Sequence, residues 1–370
     1  MDYSALYRTV ITGYSAVPKK LFKGYAFPPI QVFVELTRRC NLRCAMCQNF
    51  LYMEQMSVDN EKERELTLEE WRRIIGEMPR FALLTFTGGE PLVRADFPDI
   101  LRYASGIRRC HVITNGVLLN AELAELMVAS AARHVLCKGL VFVGMSIHGP
   151  AEIHDGITQV RDSFARAADG AGKLAEMKAG ARRKFPLLYL CTVLTRETIE
   201  TLPEMPAIAK EFSADVLNIA LCSTSFDLSI KGGATMETML KYPRAPDPIE
   251  EGVLRTNLSE TVRRCAELGI QVRLPRMPIP EIVSYYAGKW HPSGYMCNFP
   301  WAKTCISPYG HVYTCHHLEV GNVREKPLKT IWNSARYRRF RRALKQRGVF
   351  PICASCCEIE YSPTKSHPKI

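Results

Sequence analysis

Short apolar runs alternate along the chain with longer mixed stretches, and this alternation predicts a series of β-α units. Each run is rich in Val, Ile, Leu or Phe, and the stretch after it is long enough for a helix. Strands that alternate with helices at this spacing form a parallel sheet with the helices outside. We therefore predict an α/β fold with six parallel strands. The predicted strands are 31–37, 82–87, 111–114, 140–146, 187–193 and 216–220.

Some helix boundaries can be located from their capping residues. The tetrapeptide Thr67-Leu-Glu-Glu70 has the form of a capping box, which predicts that a helix begins there. Gly269 is expected to end a helix that covers about 248–268, since glycine is common just past a helix terminus. Two further helices are expected near 161–178 and 198–212.

Changes in composition divide the chain into four regions. Residues 1–28 form an N-terminal segment that is too short for a separate recognition domain. The β-α units occupy 29–221, and 222–295 contains a linker rich in Gly, Pro, Ser and Lys followed by a helix. From about residue 296 short apolar pieces, turns and cysteines follow one another, so 296–370 is expected to form a second, smaller domain. The polar residues 54–66 are expected to form a loop.

The composition is that of a globular protein in water. Of 370 residues, 23% are charged and 47% are hydrophobic. No apolar run approaches the ~20 residues that a membrane helix requires. The N-terminus also lacks the charged-then-apolar pattern of a signal peptide. We therefore expect a cytoplasmic protein with no membrane span.

The chain is basic, with a formal net charge of +12, and part of that charge lies in 336–345. Solubility is the simplest explanation for a basic helix face. An acidic electron donor, an anionic substrate or a nucleic acid would also suit a positive surface. No aromatic-rich nucleic-acid motif accompanies the basic stretch, so a nucleic acid is not an expected partner.

Fourteen cysteines in a chain expected to be cytoplasmic indicate metal binding or catalysis rather than disulfides. Cys40, Cys44 and Cys47 follow the first predicted strand with the spacing C-x3-C-x2-C. Three thiolates on one loop can bind three irons of a 4Fe–4S cluster. Because no fourth cysteine lies nearby, one iron would stay open for a ligand that is not protein. A zinc site or core cysteines are the alternatives, although zinc sites usually require four ligands.

With this cysteine loop after a strand, the chain resembles the radical S-adenosylmethionine (AdoMet) enzymes from about residue 29 to its end. The resemblance implies that 29–221 folds as a partial (β/α)6 TIM-like barrel and that AdoMet binds the open iron. Functional residues of parallel α/β sheets gather at the carboxyl ends of the strands. The motifs described next follow predicted strands in this way.

Further motifs resemble the AdoMet-binding elements of this family. Gly88, Gly89 and Glu90 follow the second strand and match its GGE motif. Its glycines would let the backbone approach the ligand, and its carboxylate would accept a hydrogen bond from the methionyl ammonium. Asn115 ends the third strand in a Thr-Asn-Gly triplet that the family often has near the cofactor, although a simple turn is the alternative. Met46 departs from the family pattern, since it stands where an aromatic residue usually packs by the adenine, but a thioether can also pack against a ring.

The fourth, fifth and sixth strands carry weaker matches. Ser146 ends the fourth strand at the position of the family residue that faces AdoMet, while His148 replaces the aspartate of the same S-x-D-G element. His154-Asp155 matches a downstream His-Asp pair, which could equally be a helix cap. Thr192 and Asn218 are candidates for cofactor or substrate contact from the fifth and sixth strands.

The C-terminal cysteines resemble the SPASM and twitch domains, which bind auxiliary iron–sulfur clusters in many radical AdoMet enzymes. Cys297 and Cys315 fit the pattern C-x12-G-x4-C. We expect one auxiliary 4Fe–4S cluster in a twitch-like domain, because four thiolates suffice for one cluster; a zinc ribbon is the alternative. The expected ligands are Cys297, Cys315, Cys353 and Cys356, with Cys305 able to replace Cys297 and Cys357 able to replace Cys356. The other cysteines, Cys110, Cys137, Cys191, Cys222 and Cys265, are expected to be small buried hydrophobic residues.

The resemblance implies an oxidoreductase that cleaves AdoMet with one electron and removes a hydrogen atom from a substrate C–H bond. The electron is expected from a reduced flavodoxin or ferredoxin-type donor. We expect oxidation of a small metabolite, because shorter twitch-type relatives often act on small molecules. The alternative is a maturase that modifies or cross-links a peptide. An iron–sulfur electron-transfer protein without AdoMet chemistry is an alternative of another class, against which the Gly88-Gly89-Glu90 motif argues.

Overall fold

The structure is a computed structural model that describes most of the chain. The described residues are 3–47, 64–222, 235–241, 247–315 and 317–362. Most of the loop expected over 54–66 and most of the linker expected over 222–247 lie outside these ranges.

A parallel sheet forms the centre of the molecule, as the alternating pattern predicts. Strands β1 to β7 are hydrogen-bonded to one another in chain order. The α/β fold class is therefore confirmed, and the structure adds a seventh strand that is too short to give a sequence signal. The strands are β1 Gln31–Thr37, β2 Leu83–Gly88, β3 Arg109–Thr114, β4 Gly139–Ser146, β5 Leu187–Leu194, β6 Val216–Leu221 and β7 Gln271–Arg273.

Helices join the strands, and the capping box at Thr67 and the stop at Gly269 are present as expected. The helix expected over 198–212 is instead broken into two pieces and a 3₁₀ turn, because Pro203 and Pro206 interrupt it. The helices are α1 Tyr3–Leu21, α2 Leu68–Glu77, α3 Phe97–Ile107, α4 Ala121–Ala129, α5 Ala151–Thr158, α6 Ser163–Gly180, α7 Arg196–Ile199, α8 Met205–Glu211, α9 Met236–Lys241, α10 Glu251–Leu268, α11 Ile279–Tyr286, α12 Phe299–Ala302, α13 Leu328–Trp332 and α14 Ala335–Arg347.

The C-terminal region continues the central sheet. Its strands are β8 Tyr295–Met296, β9 Lys303–Ile306, β10 His311–Tyr313, β11 Glu319–Asn322 and β12 Glu360–Tyr361. Strand β9 pairs in parallel with β1, and β10 and β11 extend the same sheet as antiparallel strands. The cysteine-rich region is thus joined to the first strand of the barrel by backbone hydrogen bonds.

The two faces of the barrel strands differ in polarity. On β1, Val32, Val34 and Leu36 are fully buried and belong to the main apolar core. On the opposite face of β1 lies Gln31, whose side-chain amide donates a 2.8 Å hydrogen bond to the Thr85 hydroxyl of β2. The interior of the sheet is therefore lined partly by polar side chains, which a cavity for a polar ligand requires.

A buried arginine connects the N-terminal segment to the C-terminal helices. The Arg341 side chain of α14 is fully buried, and its Nε donates to the Pro300 carbonyl at 2.6 Å. Its Nη1 donates to the Gly24 carbonyl at 3.1 Å and to the Asn333 side chain at 2.9 Å. The guanidinium also lies 4.2 Å from the centre of the Trp332 ring. One side chain of α14 therefore links three other parts of the chain, at Gly24, at Pro300 and at 332–333.

We predict that Arg341→Ala lowers the free energy of unfolding by about 3 kcal/mol or more, because three buried hydrogen bonds of a charged group are lost. Urea unfolding followed by circular dichroism measures the change. Arg336→Ala is the matched control, since Arg336 is exposed on the same helix; it should change stability by no more than about 0.5 kcal/mol. Equal effects of the two substitutions would contradict the bracing role of Arg341.

Candidate active site

The cysteine loop follows β1 directly and is fastened to helix α5. The amides of Arg43 and Ala45 donate to the carbonyls of Thr158 and Ile157, at 3.0 and 2.9 Å. These carbonyls lie at the C-terminal end of α5, where the helix leaves its last acceptors without intrahelical donors. The loop therefore donates hydrogen bonds to the last carbonyls of α5, and the same two bonds fix the backbone of the loop.

The three thiols of this loop lie close enough to influence one another. Burial is the main cause that raises the pKa of Cys40 to about 11 and that of Cys44 to about 12; the Cys47 thiol contributes to both shifts, and Cys40 contributes to that of Cys44. Cys47 is exposed at the open end of the loop. Among the described residues, no group of three or more His, Cys, Asp or Glu side chains has the geometry of a metal site. Iron binding would displace the protons of these thiols, because thiolates rather than thiols are the ligands.

The donor set nevertheless fits an iron–sulfur cluster with one open iron. Cys40, Cys44 and Cys47 are the cysteines of this loop, and soft thiolates are the ligands that such clusters use. The Asn115 amide, 3.8 Å from the Cys40 sulfur, and the Leu42 amide, 3.4 Å from it, both point donors at that sulfur. Donors of this kind stabilise the charge on a ligating sulfur.

The Gly88-Gly89 segment packs on the cysteine loop with no space for a side chain. The Gly89 amide donates to the Thr37 carbonyl at 2.7 Å, and the Glu90 amide donates to the Arg39 carbonyl at 2.8 Å. A Cβ on Gly89 would lie 2.2 Å from the Arg39 carbonyl oxygen, and Gly88 has a φ of 135°. The sequence suggested that these glycines admit a ligand. In the structure, however, the glycines allow close contact with the backbone of the cysteine loop.

Glu90 is buried and accepts hydrogen bonds from three groups of the chain. Its Oε1 accepts from the Leu92 amide at 3.0 Å and from the Thr114 hydroxyl at 2.8 Å, and its Oε2 accepts from the Asn115 amide at 2.7 Å. Burial raises the pKa of Glu90 to about 7. The carboxylate thus connects the end of β2 to the end of β3, besides any contact it makes with AdoMet.

Asn115 extends this connection to the cysteine loop. Its side-chain amide donates to Asn41 Oδ1 at 2.8 Å, and its own oxygen accepts from the Val117 amide at 3.0 Å. Met46 lies half-buried on the loop. Residues that were singled out in the sequence as AdoMet contacts therefore also hold the loop in one conformation.

Strand β4 ends in a half-buried serine and leads to a pair of buried histidines. Ser146 is the last residue of the strand, and the His148 amide donates to His154 Nδ1 at 3.2 Å. Burial lowers the pKa of both histidines, to about 3 and about 4, so both rings are neutral. Asp155 accepts from the Ser163 hydroxyl and from the amides of two residues at the start of α6. It therefore caps that helix.

The four expected auxiliary ligands converge on one pocket. Cys297, Cys315, Cys353 and Cys356 all line it, together with aromatic and aliphatic side chains such as Phe299. Burial raises the pKa of Cys297 to about 12 and that of Cys353 still further, with nearby cysteine thiols adding to both. The pocket therefore presents four soft donors in an apolar surrounding, the environment in which iron–sulfur clusters are found.

The two cysteines considered as replacements lie outside this pocket lining. Cys305 is buried on β9, where burial and the Glu35 carboxylate raise its pKa well above the ordinary value. Cys357 is exposed and contacts the neighbouring thiol of Cys356, which raises the pKa of Cys356 and lowers that of Cys357. This placement favours the original set of four ligands.

Comparison with known protein families agrees with both halves of this description. The model of the radical SAM superfamily matches residues 34–207, and the model of an iron–sulfur cluster-binding domain, SPASM, matches residues 297–357. This chain belongs to the radical SAM superfamily. Its cofactors are accordingly AdoMet and a 4Fe–4S cluster, with auxiliary iron–sulfur binding in the SPASM region.

Curated relatives of this radical SAM protein include PqqA peptide cyclases. The chain is 28% identical to a PqqA peptide cyclase from Xanthomonas euvesicatoria over 320 residues, which are 83% of this chain and 75% of the relative. It is 28% identical to the PqqA peptide cyclase of Rhodopseudomonas palustris over 349 residues, or 90% of this chain and 81% of the relative. Both similarities cover more of the chain than residues 34–207, which the radical SAM model matches.

Solved structures share the radical SAM fold at lower identity. SuiB of Streptococcus suis bound to S-adenosylmethionine has a TM-score of 0.64 at 16% identity, covering 95% of this chain and 77% of that one. The protein anSMEcpe with bound AdoMet and Kp18Cys peptide has a TM-score of 0.56 at 18% identity, covering 85% and 83%. These likenesses establish the arrangement of the barrel and the C-terminal region.

Several sequence expectations for this radical SAM chain need correction. Cys137 is exposed rather than buried, and Cys191 and Cys222 are only half-buried, whereas Cys110 and Cys265 are buried as expected. Thr192 is fully buried, on the opposite face of β5 from Cys191. The residue that faces the interior there is Cys191, because alternate residues of a strand point to opposite faces.

We predict that the reconstituted protein binds about eight irons, as two four-iron clusters, because the loop and the pocket together offer three plus four thiolates. Changing Cys40, Cys44 and Cys47 together to Ala should leave about four irons, and so should changing Cys353 and Cys356. Iron analysis and Mössbauer spectra measure both. A wild-type preparation that saturates at about four irons with bound zinc would contradict the two-cluster assignment.

We also predict that Gly89→Ala selectively lowers the occupancy of the first cluster, because the added methyl group collides with the Arg39 carbonyl and displaces the loop. Iron content should fall from about eight to about four per chain, with the auxiliary cluster retained. Gly172→Ala is the matched control, since a Cβ at Gly172 on α6 meets nothing within 4 Å. Full iron content in the Gly89 variant would show that the contact is not needed.

Proposed function

We propose that this chain is a radical SAM enzyme that forms a cross-link within a peptide substrate. The observation that carries the proposal is the similarity to PqqA peptide cyclases, at 28% identity over 83% and 90% of the chain. This similarity covers more of the chain than residues 34–207, which the radical SAM model matches, so it concerns more than the AdoMet-binding core. The comparisons therefore favour the peptide alternative over the oxidation of a small metabolite.

Peptide-bound structures of the same fold are consistent with this proposal. SuiB has been solved with its precursor peptide SuiA, at a TM-score of 0.62, and anSMEcpe with the Kp18Cys peptide, at 0.56. With identities of 16% and 18%, these likenesses concern the fold alone. They support the proposal by showing that other barrels of this architecture bind a peptide.

The residues of the chain would bind and orient the groups that supply the chemistry. Cys40, Cys44 and Cys47 would bind a cluster that, together with AdoMet, supplies the radical that removes a hydrogen atom. Glu90 and Asn115 fix the loop that carries these thiols through the hydrogen bonds described above.

A cross-link between two carbon atoms requires an acceptor for one further electron. Two C–H bonds break and one C–C bond forms, so the peptide loses two hydrogen atoms. One is transferred to the AdoMet-derived fragment, and the other leaves as a proton and an electron. An auxiliary cluster bound by Cys297, Cys315, Cys353 and Cys356 would have no open iron, which suits it to accept that electron rather than to bind AdoMet.

Two expectations about the surroundings of the enzyme belong to the same proposal. A reduced flavodoxin or ferredoxin-type protein would donate the electron that starts each turnover, and the enzyme would work in the cytoplasm. None of the described helices is long and apolar enough to cross a membrane.

We predict that the reconstituted enzyme, given AdoMet, a reductant and a synthetic PqqA peptide, the substrate indicated by the name of its relatives, converts that peptide to a product lighter by two hydrogen atoms. Fragmentation in the mass spectrometer should place a cross-link between two side chains. 5′-Deoxyadenosine should accumulate at about one equivalent per cross-link, because each AdoMet cleaved removes one hydrogen atom.

Two variants control this assay. Cys44→Ala should abolish both the peptide product and 5′-deoxyadenosine, because the open-iron cluster loses one of its three ligands. Cys137→Ala should leave both unchanged, since Cys137 is exposed and belongs to neither thiol cluster. Conversion of a small metabolite with no change in the mass of the peptide would overturn the proposal in favour of metabolite oxidation.

A further inference from the structure

One lateral row of residues crosses the interior of the barrel from β4 to β7. Ser146 of β4 is paired with Cys191 of β5, Cys191 with Asn218 of β6, and Asn218 with Arg273 of β7. Residues paired across neighbouring strands point to the same face of a sheet. The Asn218 amide donates to the Cys191 sulfur at 3.6 Å, which confirms that these two side chains share a face.

The Arg273 guanidinium lies inside the curved sheet. It lies near enough to His111 of β3, Cys191 of β5 and Lys303 of β9 to lower the pKa of each. In the sheet β7 is separated from β3 by three strands, and β9 lies further away still. A side chain on β7 can approach both strands only from the interior that the curved sheet encloses.

The cations near Arg273 differ in whether a carboxylate of the described residues pairs with them. Arg276 forms ion pairs with Glu358 and Glu360, both at 2.8 Å, and Lys303 forms one with Glu358 at 3.0 Å. Arg273 forms no hydrogen bond or ion pair with any residue in the described part of the chain. Among the described residues, Arg276 and Lys303 therefore have carboxylate partners, whereas Arg273 has none.

An interior guanidinium of this kind favours an anionic ligand. A partly buried charge without a partner costs free energy, which an incoming carboxylate would offset by pairing with it. The planar guanidinium offers two parallel N–H donors that match the two oxygens of a carboxylate. His111 is neutral because burial lowers its pKa to about 3, so it brings no competing charge to the cavity.

We propose that Arg273 binds a carboxylate of the substrate inside the barrel. Resting on the proposed peptide function, this assigns the anion to an Asp or Glu side chain, or to the C-terminus, of the peptide. Asn218, beside Arg273 in the row, offers a second polar group to the same ligand. Ser146, at the other end of the row, is the residue expected to face AdoMet. The row would therefore place the bound carboxylate on the same interior face of the sheet as the residue expected to face AdoMet.

The first test uses glutarate as the probe and does not depend on peptide chemistry. Phenylglyoxal modifies accessible arginines, and mass spectrometry of the digested protein measures the rate at each site. Glutarate should slow the modification of Arg273 at least about fivefold, whereas its neutral analogue glutaramide should not, because only the carboxylate can form a charge-assisted pair. Arg161, whose side chain is 94% exposed, is the control whose rate should stay constant.

Two outcomes of this labelling would overturn the proposal. Equal protection of Arg273 and Arg161 would indicate a general salt effect rather than a site. Absence of any modification at Arg273, with Arg161 labelled normally, would show that the guanidinium is closed to ligands.

The second test compares the acidic peptide with its amide. In the synthetic PqqA peptide, each Asp or Glu is changed in turn to Asn or Gln. For wild-type enzyme, one such change should raise the KM about tenfold to hundredfold, as expected for one charge-assisted pair. The Arg273→Gln enzyme should show a similarly raised KM for the acidic peptide and should no longer distinguish the acidic peptide from its amide. The Arg273→Lys enzyme should regain part of that preference for the acidic peptide.

The outcomes separate this inference from the proposed function. Cross-linking with unchanged discrimination in Arg273→Gln would remove Arg273 from the site while the peptide function stands. A peptide that neither enzyme modifies, together with glutarate protection of Arg273, would instead reject the peptide function and retain the carboxylate site. Arg263→Gln, an exposed substitution on α10, should behave as wild type in both tests.

Discussion

The active site depends on the contact between the Gly88-Gly89 turn and the first residues of the cysteine loop. Two backbone hydrogen bonds, at 2.7 and 2.8 Å, fix the carbonyls of Thr37 and Arg39 against this turn. A cluster loop must present thiols at fixed separations, yet a loop has few intrinsic restraints. The missing side chains at Gly88 and Gly89 allow a neighbouring strand end to supply those restraints. Glu90 then extends the same connection to β3.

The parallel strands and the thiol clusters were accessible from sequence because each has a local signature. Apolar runs indicated the strands, and spacing identified Cys40, Cys44 and Cys47. The role of the Gly88-Gly89 turn was not accessible in this way, since the backbone that it contacts lies some fifty residues earlier in the chain. The sequence motif therefore indicated that glycines are required at 88 and 89, but only the structure shows that their contact with the cysteine loop requires them.

Residues on short strands were missed for a related reason. Strand β7 has three residues, and its alternation cannot be distinguished from that of a loop. Arg273 consequently had no sequence signal, whereas the register of β5, β6 and β7 places it in one row with Cys191 and Asn218. Thr192 was selected from the correct strand but the wrong face, because a one-residue difference reverses side-chain direction.

The pairing of β9 with β1 has a consequence for how the two iron–sulfur regions act together. Gln31 and Phe33 on β1 are paired with Lys303 and Cys305 on β9, so the strand that leads to the cysteine loop also carries the cysteine-rich region. Lys303 in turn forms an ion pair with Glu358, which lines the auxiliary cysteine pocket. Backbone pairing resists relative displacement far more than a flexible linker would. The distance between the two thiol clusters is therefore fixed by the sheet itself, as electron transfer between a reacting peptide and a second cluster would require.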